Sequence, residues 1–164
     1  RQRQLLRIGA NDVIRDRPLE EITRDISRTA DVALEVALST ALRTVGNRFG
    51  QPHTQAGQPV SCVILAFGKP GGEELNYSSD IDLMFIYTAN GETDGPHGIS
   101  NKEFYKKVAN QYTHLLSTYT AEGLCYRVDL RLRPDGSLGE GWLSLEGACK
   151  SYQNSARAWE LQSM

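Results

Sequence analysis

No run of apolar residues in this 164-residue chain approaches 18, and its start carries no basic, apolar and small-residue stretch of the secretory kind. Neither membrane insertion nor export is indicated. Cysteine is scarce: Cys62, Cys125 and Cys149 are odd in number, widely spaced, and lack both a C-x-x-C pair and a histidine at ligand spacing. A disulfide framework and a structural zinc are excluded on that ground. The expectation is three reduced thiols in the core, as in a cytoplasmic protein. An excess of basic charge is missing as well. With 18 Lys and Arg against 20 Asp and Glu, a net charge of -2, the chain has no broad basic face with which to neutralise a nucleic-acid backbone. Internal repeats and low-complexity segments are absent too.

What is there is a globular composition, 40% apolar and 23% charged. A chain of this length buries roughly two thirds of the surface its unfolded form exposes, enough to need no staple. It begins at Arg1 and stops at Met164 inside a helix-like pattern, so the expectation is one domain cut from a longer polypeptide. From Pro18 onward Leu19, Ile22, Ile26, Ala30, Ala33, Ala37, Ala41 and Val45 recur at helical spacing and predict one long helix ending near Gly46 to Gly50. A shorter helix with Leu5, Leu6 and Ile8 precedes it, broken around Gly9 to Asn11. This helical extension, 1–50, reads as packing scaffold. Residues 51–59, with Pro52, Gly57 and Pro59, read as a linker, and 60–164 as the core.

Within that core the period turns strand-like. Val60 to Phe67 predicts a buried strand. Ile81 to Tyr87 predicts a second, with Ile81, Leu83, Phe85 and Tyr87 on one face and Asp82, Met84 and Ile86 on the other, Asp80 sharing the side of Asp82. Residues 90–99 read as a mobile loop. Ser100 with Glu103 forms a capping box for a helix whose stripe is Phe104, Val108, Tyr112, Leu115, Leu116 and Tyr119. Leu124 to Arg133 alternates as a third strand, sending Cys125, Arg127, Asp129, Arg131 and Arg133 to one face. A turn from Pro134 leads to a final amphipathic helix from Ser144 through Trp159.

Two aspartates at i and i+2, Asp80 and Asp82, project to one side at the start of a strand and repel unless they share a cation. Hard oxygen donors with room for water suit Mg²⁺ on nucleotide phosphates. A solvated acidic pair is the plain alternative. Upstream stands the turn Gly68-Lys69-Pro70-Gly71-Gly72, whose glycines let backbone N–H groups approach a phosphate while Lys69 adds positive charge. Taken alone it is equally a tight strand-to-helix turn, and it matches neither the P-loop nor the dinucleotide spacing. Ser78 and Ser79 add hydroxyls. Asp129 supplies the third carboxylate that a two-metal phosphoryl-transfer site requires, with Arg127, Arg131 and Arg133 beside it to fork onto phosphate oxygens. The competing reading is an exposed strand face whose Asp and Arg residues pair across the sheet. His53, His97 and His114 have no partners at catalytic spacing, and Trp142 and Trp159 read as packing anchors.

Strand, glycine turn, S-D-x-D strand, helix, then a strand with a lone Asp among arginines: this order resembles the nucleotidyltransferase fold of DNA polymerase beta and its relatives. The strings narrow it. Gly68-Lys69 with Gly71-Gly72, Glu74 through Leu83 (ELNYSSDIDL), Tyr126 through Pro134 (YRVDLRLRP) and Ala156 through Glu160 (ARAWE) resemble the glutamine synthetase adenylyltransferase family. That family is large and bifunctional, with two nucleotidyltransferase domains on one chain. The resemblance implies an α/β (α+β) domain, a small mixed sheet flanked by helices with an amino-terminal helical extension.

The forms around Asp80 and Arg127 resemble the amino-terminal domain, since the carboxy-terminal one tends to carry an acidic residue in place of Arg127. For that domain the resemblance implies Mg²⁺-dependent phosphorolysis of an AMP-tyrosine bond on glutamine synthetase, giving ADP and free tyrosine. Asp80, Asp82 and Asp129 would be catalytic and hold the metal. Gly68, Lys69, Gly71, Gly72, Ser79, Arg131 and Arg133 would meet the nucleotide or phosphate. Implied partners are glutamine synthetase, ATP, ADP, AMP and phosphate, and PII signalling proteins through other parts of the full chain, with neither nucleic acid nor membrane. The other readings are the adenylylating domain, which adds AMP from ATP, and a silent nucleotide or effector sensor. The turn departs from the family pattern at Ala66, usually glycine, and at Pro70, which removes one N–H from the candidate phosphate donors.

Overall fold

A computed structural model describes residues 1–78, 80–129 and 142–155. Helix α1 (Gln2–Val13) and the 31-residue α2 (Leu19–Phe49) pack together at the amino-terminal end. The predicted break at Gly9 to Asn11 does not occur. A helix-interior glycine costs only about 1 kcal/mol, and Ile8, fully buried, anchors the turn on either side. The chain leaves α1 later, at Asp16, which adopts a positive φ of 49° just before Pro18 caps α2. Ile22, Ile26, Ala30, Ala37, Ala41 and Val45 form the buried stripe of α2, as the spacing predicts, whereas Ala33 is only partly buried and Leu19, in the exposed first turn, is 69% exposed and lies outside the stripe.

Strands β1 (Pro52–Thr54) and β4 (Gly91–Thr93) pair antiparallel as a small ribbon, so the glycine- and proline-bearing segment after α2 carries a strand. The expected mobile loop is likewise tied down. Thr93 is buried, donates its N–H to Ile99 O at 2.9 Å and accepts from the Ile99 N–H at 3.0 Å. Asn101, fully buried at the start of α3 (Asn101–Ser117), fastens this corner by donating to the carbonyls of His53 and Ala89. The N-cap half of the capping box forms, the Glu103 N–H donating to Ser100 Oγ at 3.2 Å, while the Glu103 carboxylate pairs with Lys107 at 3.1 Å. Phe104, Val108, Tyr112 and Leu116 are buried as expected. Leu115 is partly exposed, and Tyr119 lies beyond the helix end in solvent.

The main sheet is centred on β3 (Ile81–Tyr87). β2 (Cys62–Phe67) covers one edge antiparallel, while β5 (Val128–Asp129) and β6 (Trp142–Ser144) run parallel along the other, β5 beside residues 81–82 and β6 beside 85–87. The alternation in β3 holds: Ile81, Leu83, Phe85 and Tyr87 are each at most 3% exposed. β2 is not the buried strand expected. Among the described residues it is an edge, with Val63 and Leu65 exposed.

The expected strand from Leu124 is ladder-paired only at Val128–Asp129 among the described residues, because the N–H groups of Cys125 and Tyr126 both donate to Leu116 O at the end of α3. Residues 130–133 lie outside the described set. β6 was not foreseen. Trp142 anchors it, 4.6 Å from the Phe85 ring and 4.9 Å from Tyr105, and α4 (Leu145–Ser155) follows. Ala156 and Trp159 fall outside the described residues. One core cluster runs from Ile8 through α2, β3 and α3 to Trp142. All three cysteines are free, but Cys149 is exposed and Cys62 and Cys125 only half-buried, so the expectation of three core thiols is corrected.

Candidate active site

The site is set by register. Ile81 pairs with Val128 and Asp82 with Asp129 across β3 and β5, and the Ile81 N–H donates to Arg127 O at 2.9 Å. Registered neighbours in adjacent strands, about 4.8 Å apart, send their side chains to the same face. Asp82 and Asp129 therefore stand side by side on the face opposite the Ile81–Leu83–Phe85 core. One step back on the same face Arg127 Nε donates to Asp80 Oδ1 at 2.6 Å, and its terminal nitrogen reaches Ser78 O at 3.5 Å. The result is two facing rows, Asp80 with Arg127 and Asp82 with Asp129: among the described residues, three carboxylates and one guanidinium.

The glycine turn closes beside these rows. β2 pairs Phe67 with Asp82, so the chain enters the turn at the acidic end of β3. Gly68 adopts a φ of 63°, in the left-handed region, and a Cβ placed there would lie 4.0 Å from Asp82 Oδ2. The turn is braced by its own backbone, with N–H donors of Gly72, Glu73 and Glu74 given to the carbonyls of Gly68, Pro70 and Lys69. Those donors, and Pro70, are thereby out of the supply for a phosphate, which falls to the other amides and to exposed Lys69. Ser79, Arg131 and Arg133 lie outside the described residues.

The loop between turn and strand rests on the helical extension, a contribution the sequence reading missed. Leu75, 2% exposed, donates its N–H to Ser27 Oγ at 3.2 Å, and Ser27 is itself 1% exposed. Tyr77 Oη donates to Asp12 Oδ2 at 2.9 Å, and Arg24 approaches Glu73 at 3.7 Å. The Tyr77 hydroxyl is held above its ordinary pKa, chiefly by desolvation and then by the Asp12 carboxylate. Asp31 is raised by burial first and by the Glu73 charge second. The one signal available was a serine beside the α2 stripe, between Ile26 and Ala30.

For a hard divalent cation the donors fit in kind: carboxylate oxygens, two of them in register and a third two residues ahead on the same side. Among the described residues no three His, Cys, Asp or Glu side chains already converge as a metal cage, and the Asp80 carboxylate is engaged by Arg127. That pair is half or more exposed on both sides, 65% and 50%, so it is worth only about 0–1 kcal/mol and yields readily to a competing cation. A separate cavity of about 680 Å³ lies between α1, α2 and α3, lined by Arg7, Asp25, Arg28, Val32, Val36 and Leu115 among others, and includes none of Asp80, Asp82 and Asp129.

A small mixed sheet presenting an in-register carboxylate pair beside a glycine turn, flanked by helices, defines a nucleotidyltransferase-like α/β fold. The family model described as glutamate-ammonia ligase adenylyltransferase matches residues 1–164, and the chain belongs to that family. It is 40% identical over 166 residues to the bifunctional glutamine synthetase adenylyltransferase/adenylyl-removing enzyme of Pseudomonas putida, covering all of this chain and 17% of the relative. The proteins of that name from Neisseria meningitidis serogroup A and Thioalkalivibrio sulfidiphilus are 42% identical over 157 residues and 37% over 160. They cover 93% and 98% of this chain, and 17% and 16% of the relatives. The chain thus spans about a sixth of the length of these relatives. Among the described residues no helix is long and apolar enough to cross a membrane.

Proposed function

We propose that this chain is the adenylyl-removing catalytic unit of a two-headed glutamine synthetase-modifying enzyme, working in the cytoplasm with PII proteins acting through other parts of the polypeptide. The observation that carries this reading is the register Asp82 to Asp129 with the Asp80–Arg127 row beside it. The relatives' names supply the two opposed activities. Arg127, by the resemblance described above, favours removal over addition.

A Mg²⁺ ion held by Asp80, Asp82 and Asp129 supplies, when bound, charge neutralisation at the phosphoryl oxygens. The chain's own groups do the rest. The nucleophile in phosphorolysis is hydrogen phosphate, already anionic, so cationic side chains that gather and orient it matter more than a strong base. Arg131 and Arg133 are assigned to that task, and Lys69 with the Gly68–Gly71 turn and Ser79 to the AMP phosphate. A phosphate oxygen bonds to the phosphorus of AMP, the bond to the tyrosine oxygen breaks, and the phenolic oxygen takes the proton given up by hydrogen phosphate. ADP and free tyrosine leave.

The test uses the full-length protein with Asp82→Asn or Asp129→Asn, given adenylylated glutamine synthetase and phosphate. AMP removal is expected to be lost while ATP-driven AMP addition survives. Loss of addition with retained removal assigns this site to the opposite reaction. Nucleotide binding without turnover in the unmutated full-length protein supports a sensor.

A further inference from the structure

We infer that Ser27 is a positioning residue for the acidic site: its buried hydroxyl holds the Leu75 N–H and so fixes the approach of the chain to Asp80 and Asp82. The inference rests on the site reading above. Five residues, 76–80, separate Leu75 from Ile81, and the described ones among them carry no strand or helix of their own. Something else must fix their path. The helical extension does so at two hydrogen bonds, one buried (Ser27 Oγ accepting from Leu75 N at 3.2 Å) and one exposed (Tyr77 Oη donating to Asp12 Oδ2 at 2.9 Å), with the looser Arg24–Glu73 approach at the start.

Arg127 holds the far end of the segment through Ser78 O and Asp80, while at its near end the Ser27 bond is the buried one. Ser27 and Leu75 are almost wholly removed from water, so an orphaned Leu75 N–H cannot be rescued by solvent where it stands, and the loop must shift to hydrate it. The same shift moves Asp80 relative to Asp82 and Asp129. Misplacement of reacting groups by about an ångström costs on the order of a hundredfold in rate without demanding weaker substrate binding.

The experiment compares Ser27→Ala, Tyr77→Phe and, as a control far along the same helix, Ser39→Ala in the full-length protein. It measures phosphorolytic AMP removal, split into kcat and KM for phosphate, together with hydrogen exchange at the amides of residues 73–80. Expected for Ser27→Ala is a fall in kcat of tenfold or more at little-changed KM, with faster exchange confined to that loop. Tyr77→Phe should show a severalfold fall of the same kind, and Ser39→Ala none. Faster loop exchange with unchanged kcat overturns the inference, as does exchange that rises throughout the domain, which marks a merely structural role. If Ser27→Ala fails to fold, Tyr77→Phe decides: loop loosening without a fall in kcat again overturns it. Asp82→Asn run in parallel separates the two ideas, since full activity there removes the site reading whatever Ser27 does.

Discussion

Gly71 and Gly72 are neighbours of one chemical type, yet alanine should be refused at the first and accepted at the second. A Cβ at Gly71 would stand 2.8 Å from the Ala66 carbonyl oxygen and 3.5 Å from that of Gly68. Neither atom can step aside cheaply: Ala66 lies in β2, registered opposite Leu83, and the Gly68 carbonyl accepts the Gly72 N–H. The turn itself must move, at an overpacking cost of about 1–3 kcal/mol. At Gly72 the Cβ meets only the Glu74 side chain at 3.7 Å and the Gly68 carbonyl at 3.8 Å, ordinary contact, and its φ is not positive. Alanine there keeps the N–H donated to Gly68 and reduces the freedom of the unfolded chain, a gain of roughly 0.4–1 kcal/mol. Because the turn abuts Asp82, Gly71→Ala should also lower AMP removal by about ten- to a hundredfold. Phosphorolysis assays and thermal unfolding of the two variants in the full-length protein check this. Gly71→Ala should lower the melting temperature of the transition reporting this domain by a few degrees to about ten. Equal damage from the two alanines, or none from Gly71→Ala, would refute the reasoning.

Arg127→Ala should cost less than about 1 kcal/mol in stability, since both partners of the Asp80 pair are largely exposed. It should also lower the Mg²⁺ concentration for half-maximal activity by no more than about fivefold, the same free energy returned to the carboxylate; a Mg²⁺ titration reads this, and a rise contradicts it. Phe85→Ala removes a fully buried ring that packs edge-on to Tyr112 at 5.5 Å and against Trp142 at 4.6 Å, and should cost about 3–5 kcal/mol in denaturant unfolding. Thiol alkylation at pH 8 should label exposed Cys149 before Cys62, whose thiol burial pushes up to about 11. At pH 8 only roughly a thousandth of Cys62 is thiolate, and its labelling should rise about tenfold per pH unit up to that value, as peptide mapping would record.

Where one element's residues speak for themselves, the sequence was readable. The α2 stripe, the alternation in β3 and the Ser100–Glu103 cap are local patterns, and each stands where its spacing puts it. The pairings that escaped notice are between distant, short and unpatterned pieces. Pro52 to Thr54 reads as linker because its partner, Gly91 to Thr93, lies some forty residues on and both are rich in strand breakers. β6 is three residues long, and only its contact with Phe85 identifies it. Of the site, the carboxylates were legible as a spacing, and the exposed Arg127–Asp80 pair realises in part the competing reading of Asp and Arg paired across the sheet, though which Asp Arg127 takes was not legible. Alternation assigns a face and says nothing of which neighbour a guanidinium will choose. Ser27 was invisible for the opposite reason: its work is done across 48 residues, by a hydroxyl on a helix that otherwise looks like scaffold.

The alternation in β3 has a consequence for how this site can change over time. A slip of one residue in that strand would carry Ile81, Leu83, Phe85 and Tyr87 into the face now held by Asp82, forfeiting burial worth on the order of 10 kcal/mol. The aim of the aspartate is thus set chiefly by oil on the far side of the sheet, with buried Met84 the apolar residue beside it on the near face. The half-buried residues of the working face, Asp82 and Ile86, can be exchanged one at a time with less cost to the frame that points them than buried Met84 between them. Chemistry and architecture are written on alternate letters of the same seven-residue word.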